Sequence, residues 1–435
     1  MPSADLRVAL LGYGTVGSAV NRLLTRSADD IERATGRRVQ VVRALVRDLD
    51  KERDYPPEPG VLTADIRDIV EDDDIAIVAE VMGGVEPAGE YVLELLHRGK
   101  HIVSANKQLV ARRGGELFAA ALEAKAQLRF EASVCAAIPV IKVLREALVV
   151  TNVHRVLGIV NGTTNFVLTE MESGKSYDEA LAEAQERGFA EADPTDDVSG
   201  ADAAAKMAIL AGAAFNSRVE LEHVDYSGID AIDPADLAAA HELDMTIRLV
   251  GAARLVNGQV DVRVEPALVD RHHPLAAVEG AFNAVMLQGD AIREITLEGP
   301  GAGGTETASA VIADMASVIG TMGTGFVQND GFWRELPRLP AGESRSPFFF
   351  RVAVEDRPGV LARVAEELAK REISVARLLQ RQNGTGAVLH VVTHEAKSGA
   401  LAEALNAVSS LDEVRMRPTP LPVISDRGVE ELGWA

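Results

Sequence analysis

No stretch of the sequence restricts the possible folds more than Gly12-Tyr13-Gly14-Thr15-Val16-Gly17. It comes after a short apolar run, residues 7–11, that reads as a strand, and it leads into a helical pattern over residues 18–25. Strand, G-x-G-x-x-G and helix in that order form the fingerprint of a dinucleotide site. Gly12 permits the tight turn, Gly14 lets the backbone approach a pyrophosphate, and Gly17 lets helix pack on strand. Free amides at the helix N-terminus then face the anion. Tyr13, Thr15 and Val16 lie in the same turn and join the three glycines as cofactor-binding candidates.

Further strands and helices extend this pattern along the chain. A second strand over 39–46 ends at Arg47-Asp48, with Lys51 and Arg53 close behind. An arginine at that strand end suits a 2′-phosphate and an acid suits a free ribose, so Arg47 leans towards NADP(H) while Asp48 keeps NAD(H) open. A solvated charge cluster explains the same residues equally well. Strands at 75–82, 101–104 and 128–133, with a helix at 87–98, alternate as a parallel α/β sheet requires. Ala105-Asn106-Lys107 falls at the C-terminal end of a strand. Ligands of open α/β sheets bind at that edge, so Lys107 is a candidate for cofactor and substrate contact. These elements delimit an NAD(P)-binding domain over 1–138, completed by residues from about 300–325.

Composition bounds the rest. A chain of 435 residues with 47% hydrophobic content holds several packed cores. Its 66 acids against 44 bases give a net charge of −22, which repels nucleic acid and anionic membranes. A single cysteine, Cys135, excludes an internal disulfide framework and fits a reducing cytoplasm. No apolar run is long enough to cross a membrane and no signal-like start is present, so a cytoplasmic location is expected.

Composition shifts after Pro139, where a substrate domain is expected over 139–299. A strand at 153–160 ends in the uncharged polar run Asn161-Gly162-Thr163-Thr164-Asn165, which either offers groups to a ligand or makes a turn. Residues 176–187 read as a helix with Gly188 as its stop. Acids come next at 191, 193, 196 and 197, and Pro194 breaks the chain before a helix over 200–214. Asp202 and Lys206 are four apart on that helix, a spacing that by itself describes a surface ion pair. Strands recur at 260–264 and 284–287, and a second glycine-rich loop, Gly299 to Gly304, precedes a helix over 308–319. That loop either returns to the nucleotide or serves as a hinge. Gly188 and Gly303 are further cofactor-binding candidates. Residues 326–346 read as a linker. Beyond it, strand 348–354, helix 360–371, strands 373–380 and 387–394, helix 399–409 and a last strand ending near Arg417 give a ferredoxin-like domain over 347–420.

Several ordered motifs together resemble homoserine dehydrogenase with a C-terminal ACT domain. They are Gly12 to Gly17, Val81 to Gly84 with Pro87, Ala105-Asn106-Lys107, Glu131-Ala132-Ser133-Val134, and Asn161 to Asn165. Further on they are Glu191-Ala192-Asp193-Pro194-Thr195, Asp202 to Lys206, Phe282-Asn283-Ala284-Val285, Gly301 to Gly304, and the ACT-like turn Asp356-Arg357-Pro358-Gly359. The resemblance implies an α/β chain of three parts: a Rossmann-type nucleotide-binding domain, an α+β substrate and dimerisation domain, and a ferredoxin-like ACT domain.

It also implies reversible, NAD(P)H-dependent reduction of L-aspartate 4-semialdehyde to L-homoserine, in threonine, methionine and isoleucine biosynthesis. Lys206 then matches the proton donor, and Lys107 the lysine beside nicotinamide and substrate. Glu191, Asp202 and Thr163 match the substrate-binding positions, and Glu131, Val134, Ala136 and Ile138 those of a sodium ion. A homodimer or homotetramer and an amino-acid effector at the ACT domain are expected. The sequence departs from the family pattern at Phe189, where a tyrosine is usual, and at Cys135-Ala136-Ala137, where glycine-rich sequence is usual. Those departures motivate the alternative of a nucleotide- and amino-acid-binding sensor without catalysis.

Overall fold

The computed structural model describes residues 5–322, 324, 334–384 and 386–426. The expected linker therefore falls partly outside the described residues. Two compact units are formed, one from residues up to Val156 with Ala203–Val224 and Asn283–Leu336, the other from Leu157–Asp202, Asp225–Phe282 and residues from Pro337 onward. The chain passes from one unit to the other inside strand Val153–Ile159 and in the first turn of helix Ala201–Phe215.

The first unit is built on six strands: β1 (Leu6–Leu11), β2 (Val39–Leu45), β3 (Leu62–Thr63), β4 (Ile75–Glu80), β5 (His101–Ser104) and β6 (Leu128–Arg129). Their order is β3-β2-β1-β4-β5-β6 and every pairing is parallel. Val8, Leu10, Ile77, Ala79 and Val103 are fully buried, as apolar strands covered on both faces require. Helix Gly304–Thr321 joins the same core through Val311, Met315 and Val318, packed with Val20 and Leu24 of helix Thr15–Arg26. Strand order reverses between β1 and β4, and ligands of such sheets bind at the carboxyl edge of that switch point. The strand expected to reach Ser133 stops at Arg129. There the Glu131 amide donates to the Asp314 carboxylate (2.9 Å) rather than to a strand, and Glu131–Ser133 coils into a 3-10 turn.

In the second unit, strands Met245–Val256 and Gln259–Asp270 pair in antiparallel register over their full length. Asn257 and Gly258 join them, both with positive φ (51° and 79°), the backbone a tight hairpin turn needs. Helix Gly162–Glu172 begins inside the run read as ligand loop or turn. Asn161 caps it, accepting from the Thr164 amide at 2.8 Å. Helix Tyr177–Glu186 starts with a reciprocal cap between Ser176 and Glu179.

The C-terminal part has the ferredoxin-like order: strand Phe348–Glu355, helix Val360–Ala369, strands Val375–Asn383 and Gly386–Thr393, helix Ser398–Ser409, strand Leu421–Ile424. That last strand lies beyond the expected position near Arg417. Pro418 and Pro420 have no amide hydrogen to extend the ladder in that direction. Leu421–Ile424 pairs antiparallel with Phe348–Glu355 and parallel with Gln259–Asp270, so this part continues the sheet of the second unit. No helix among the described residues is long and apolar enough to cross a membrane.

Candidate active site

At the end of β1 the glycine turn is built around close approaches. Gly12 has φ 106°, and a Cβ there would stand 3.0 Å from the Val81 carbonyl oxygen. A Cβ on Gly17 would lie 2.3 Å from the Gly12 oxygen, so helix Thr15–Arg26 crosses the turn where only glycine fits. Among the described residues other than its chain neighbours, nothing lies within 4 Å of the corresponding point on Gly14, which leaves the room a pyrophosphate needs. No side chain caps that helix, so its first amides stay available to an anion. Tyr13 is buried, its hydroxyl accepting from the Asn21 amide (2.8 Å). Gly303 takes φ 130°, and a Cβ on Gly304 would meet Thr15 Cγ2 at 2.7 Å, so the second glycine loop packs directly on the first. Arg47 is exposed just past β2, while Arg53 folds back to donate to the carbonyls of Asp48 (2.7 Å) and Lys51 (2.6 Å).

A cleft of about 330 Å³ opens beside this turn. Its wall takes in Val16, the strand-end residues Val81 to Gly83 and Ala105 to Lys107, then Cys135, Ala136, Lys206, Gly301 and Ala302. Lys107 and Lys206 therefore line one cavity. Lys107 opens helix Lys107–Glu123, capped by Asn106, whose Oδ1 accepts from the Leu109 amide (3.1 Å). Lys206 stands in helix Ala201–Phe215, one turn after Asp202.

Glu80, which sequence reasoning did not single out, lies fully buried at the end of β4. Its carboxylate accepts from the amides of Met82 and Gly83, from the Ser104 hydroxyl and from the Asn106 side chain. Burial pushes this carboxyl above its ordinary pKa, although each of those hydrogen bonds pulls it down. Asn283 is also fully buried, and neither of its amide atoms has a hydrogen-bond partner among the described residues. It lies under Gly301, where a Cβ would come within 2.1 Å of the amide.

The positions matched to a sodium ion lie in the same unit. Glu131, Val134, Ala136 and Ile138 are all buried. Glu131 accepts from the amides of Ile141 and Lys142 (both 2.8 Å). Its pKa is pushed up to about 7, by burial first and then by the neighbouring charge of Asp314. Cys135 and Ala136 both adopt positive φ (54° and 41°), so non-glycine residues make this turn.

The second unit gathers a separate polar cluster. Asn161 donates from its side chain to Asp197 (2.7 Å) and to Asp202 (2.9 Å). The Thr163 hydroxyl contacts the Phe189 carbonyl oxygen (2.6 Å) and Asp197 (3.3 Å). Asp202 is only 5% exposed, so its carboxylate is a buried group and not the surface one that its spacing suggested. Asp197 is brought in beside it; its only sequence signal was membership of the acidic run after Gly188. Glu191 is not drawn into the cluster by any described hydrogen bond. It is exposed on the loop after Gly188, which turns with φ 75°, and its backbone oxygen accepts from Gln185 (3.1 Å). The Phe189 ring packs on Phe166, with ring centroids 5.1 Å apart.

Residues 12–131 match the profile of the homoserine dehydrogenase NAD-binding domain and residues 139–316 that of homoserine dehydrogenase itself. A homoserine dehydrogenase of Mycobacterium tuberculosis is 44% identical over 427 residues, 94% of this chain and 95% of that one. This chain belongs to the homoserine dehydrogenase family. It is accordingly a nicotinamide-dependent oxidoreductase that interconverts L-aspartate 4-semialdehyde and L-homoserine, and the sensor alternative has no support. Residues 349–413 match the ACT domain. The homoserine dehydrogenase of Thiobacillus denitrificans has a crystal structure that superposes with a TM-score of 0.90 at 37% identity, over 97% of this chain and 98% of that one. A hyperthermophilic archaeal homoserine dehydrogenase in complex with NADPH aligns with a TM-score of 0.61 at 29% identity, over 72% of this chain and 97% of that one.

Proposed function

We propose that this homoserine dehydrogenase prefers NADP(H) to NAD(H) and that Lys206 supplies the proton of the reduction. The observation that carries the proposal is the shared cleft of Lys107 and Lys206, beside the glycine turn at the carboxyl edge of the sheet. A bound nicotinamide supplies hydride to the aldehyde carbon. Negative charge then develops on the aldehyde oxygen, and the Lys206 ammonium provides both a countercharge and a proton. Lys107 orients the reacting groups in the same cleft. Asp202, Thr163 and Glu191 bind the amino-acid end of the substrate, the two carboxylates suiting an α-ammonium group. Asp197 joins them through Asn161 and Thr163.

The cofactor assignment rests on room at Gly14, uncapped helix amides and the exposed Arg47, with Gly188 and Gly303 as further contacts. The archaeal relative solved with NADPH favours the same choice. The Glu131 carboxylate and the peptide oxygens of Val134, Ala136 and Ile138 would hold a sodium ion, since oxygen donors suit a hard cation. The ACT domain binds an amino-acid effector, threonine first among candidates, and the enzyme works in the cytoplasm as a homodimer or homotetramer.

Two kinetic comparisons test these roles. Arg47→Ser should lower kcat/KM with NADPH and leave that with NADH nearly unchanged; an unaltered ratio removes Arg47 from 2′-phosphate recognition. Asp202→Asn should raise KM for the aldehyde by roughly 10-fold or more, as loss of a charge-assisted hydrogen bond implies. An unchanged KM contradicts the substrate assignment.

A further inference from the structure

We infer that Glu80 is a positioning residue for the reaction, its buried carboxylate fastening the loop after β4 to the turn that presents Lys107. The inference rests on the reading of Lys107 as a group at the reacting centre. Glu80 ends a central strand and is fully buried, a place where a carboxylate persists only with dedicated partners. It has four, and all are donors. Oε1 accepts from the Met82 amide (3.0 Å), the Gly83 amide (3.3 Å) and Asn106 Nδ2 (3.3 Å), and Oε2 from the Ser104 hydroxyl (2.7 Å). The Asn106 side chain donates again to the Gly84 carbonyl (2.6 Å), and its backbone amide donates to Ser104 Oγ (3.1 Å).

Every one of these partners sits on a cleft wall or next to one. Met82 and Gly83 line the cleft from the β4 side, and Asn106 and Lys107 line it from the β5 side. The covalent chain joins the two walls only through a whole helix and strand β5. Beyond the pairing of β4 with β5 and the Asn106–Gly84 bond, the Glu80 carboxylate ties the loop amides of Met82 and Gly83 to Ser104 and Asn106. Asn106 then caps the helix that Lys107 opens, which fixes where the Lys107 side chain leaves the backbone. Catalysis is sensitive to placement errors of about 1 Å, so a brace at this point controls rate without touching the substrate.

A double-mutant cycle on the full-length enzyme tests this, with kcat and KM for the aldehyde, NADPH affinity by fluorescence, and the thermal midpoint measured for each variant. Glu80→Ala should lower kcat roughly 100-fold while NADPH affinity changes by about threefold at most. Glu80→Gln should recover most of the loss, because the Gln oxygen keeps the amide donors and its NH₂ can donate to Ser104 Oγ. On a Lys107→Ala background, Glu80→Ala should have almost no further effect on kcat. If Glu80→Ala does not fold, Ser104→Ala replaces it in the cycle, with a smaller kcat loss that also vanishes without Lys107. Full kcat in Glu80→Ala or Ser104→Ala, beside a Lys107→Ala enzyme that is impaired, overturns the inference and leaves the Lys107 reading intact. Equal losses on both backgrounds overturn it as well, by showing a role that does not pass through Lys107. A Lys107→Ala enzyme with full kcat removes the Lys107 reading itself, and the inference with it.

Discussion

Single residues differ in how far their sequence context reveals them. Gly12 and Gly17 were readable because glycine at a fixed spacing reports a close approach, and both approaches are present. Glu80 was not, because both of its side-chain partners, Ser104 and Asn106, are more than twenty positions away. Asp202 misled on spacing alone: an i,i+4 acid–lysine pair normally faces water, whereas burial and Asn161 decide its actual setting. Gly301 offers a prediction at this scale. An alanine there would put its Cβ 2.1 Å from the buried Asn283 amide. Gly301→Ala should destabilise the protein by about 1–3 kcal/mol, as overpacking does, and Asn283→Ala in the same chain should restore much of it. Urea denaturation of the single and double variants measures both; a neutral Gly301→Ala contradicts the packing described.

At the scale of elements, the nucleotide-binding sheet was legible because its strands are buried on both faces and read as apolar runs. The long hairpin was only half seen. Its second strand was expected at 260–264, yet Asn257-Gly258 between two apolar segments was itself a hairpin signal. Polar ties between elements were invisible, since their partners are remote in sequence. Arg351 of the first ACT strand is mostly buried and grips Asp233 (2.9 Å) and Asp236 (2.6 Å) at the start of helix Pro234–Glu242. Arg351→Ala should cost about 1–3 kcal/mol by removing charge-assisted hydrogen bonds to two carboxylates, read as a lowered urea midpoint. A second tie makes a pH prediction. Burial alone would raise the Asp261 pKa, but the Ser344 hydroxyl and the guanidinium groups of Arg263 and Arg254 hold it below its ordinary 3.8. A carboxyl depressed in the folded state stabilises above its unfolded pKa, and that stability is lost as pH falls through the folded value. Asp261→Asn should therefore be less stable than wild type at neutral pH and lose less on acidification below pH 4; parallel acid titrations of the two proteins contradict the assignment.

Across the whole molecule, the order of domains was legible because each carries its own motif, but the way the ACT part joins the second unit was not. Strand Leu421–Ile424 belongs to two neighbours at once, and nothing local in Leu-Pro-Val-Ile announces that. Truncation after residue 346 would strip the edge of Gln259–Asp270 of this partner and leave unpaired backbone. Such a protein should aggregate or lose stability, by size-exclusion chromatography, although the archaeal relative aligns with only 72% of this chain. A monodisperse, equally stable truncation contradicts this. The central claim concerns Lys206 in its cleft beside Lys107. Its most direct test is NADPH oxidation by Lys206→Ala at saturating L-aspartate 4-semialdehyde, with NADPH binding measured on the same sample. The predicted result is unchanged cofactor affinity with kcat reduced by about 10²–10⁴-fold, the range for losing a positioned acid. Full kcat in Lys206→Ala would contradict it.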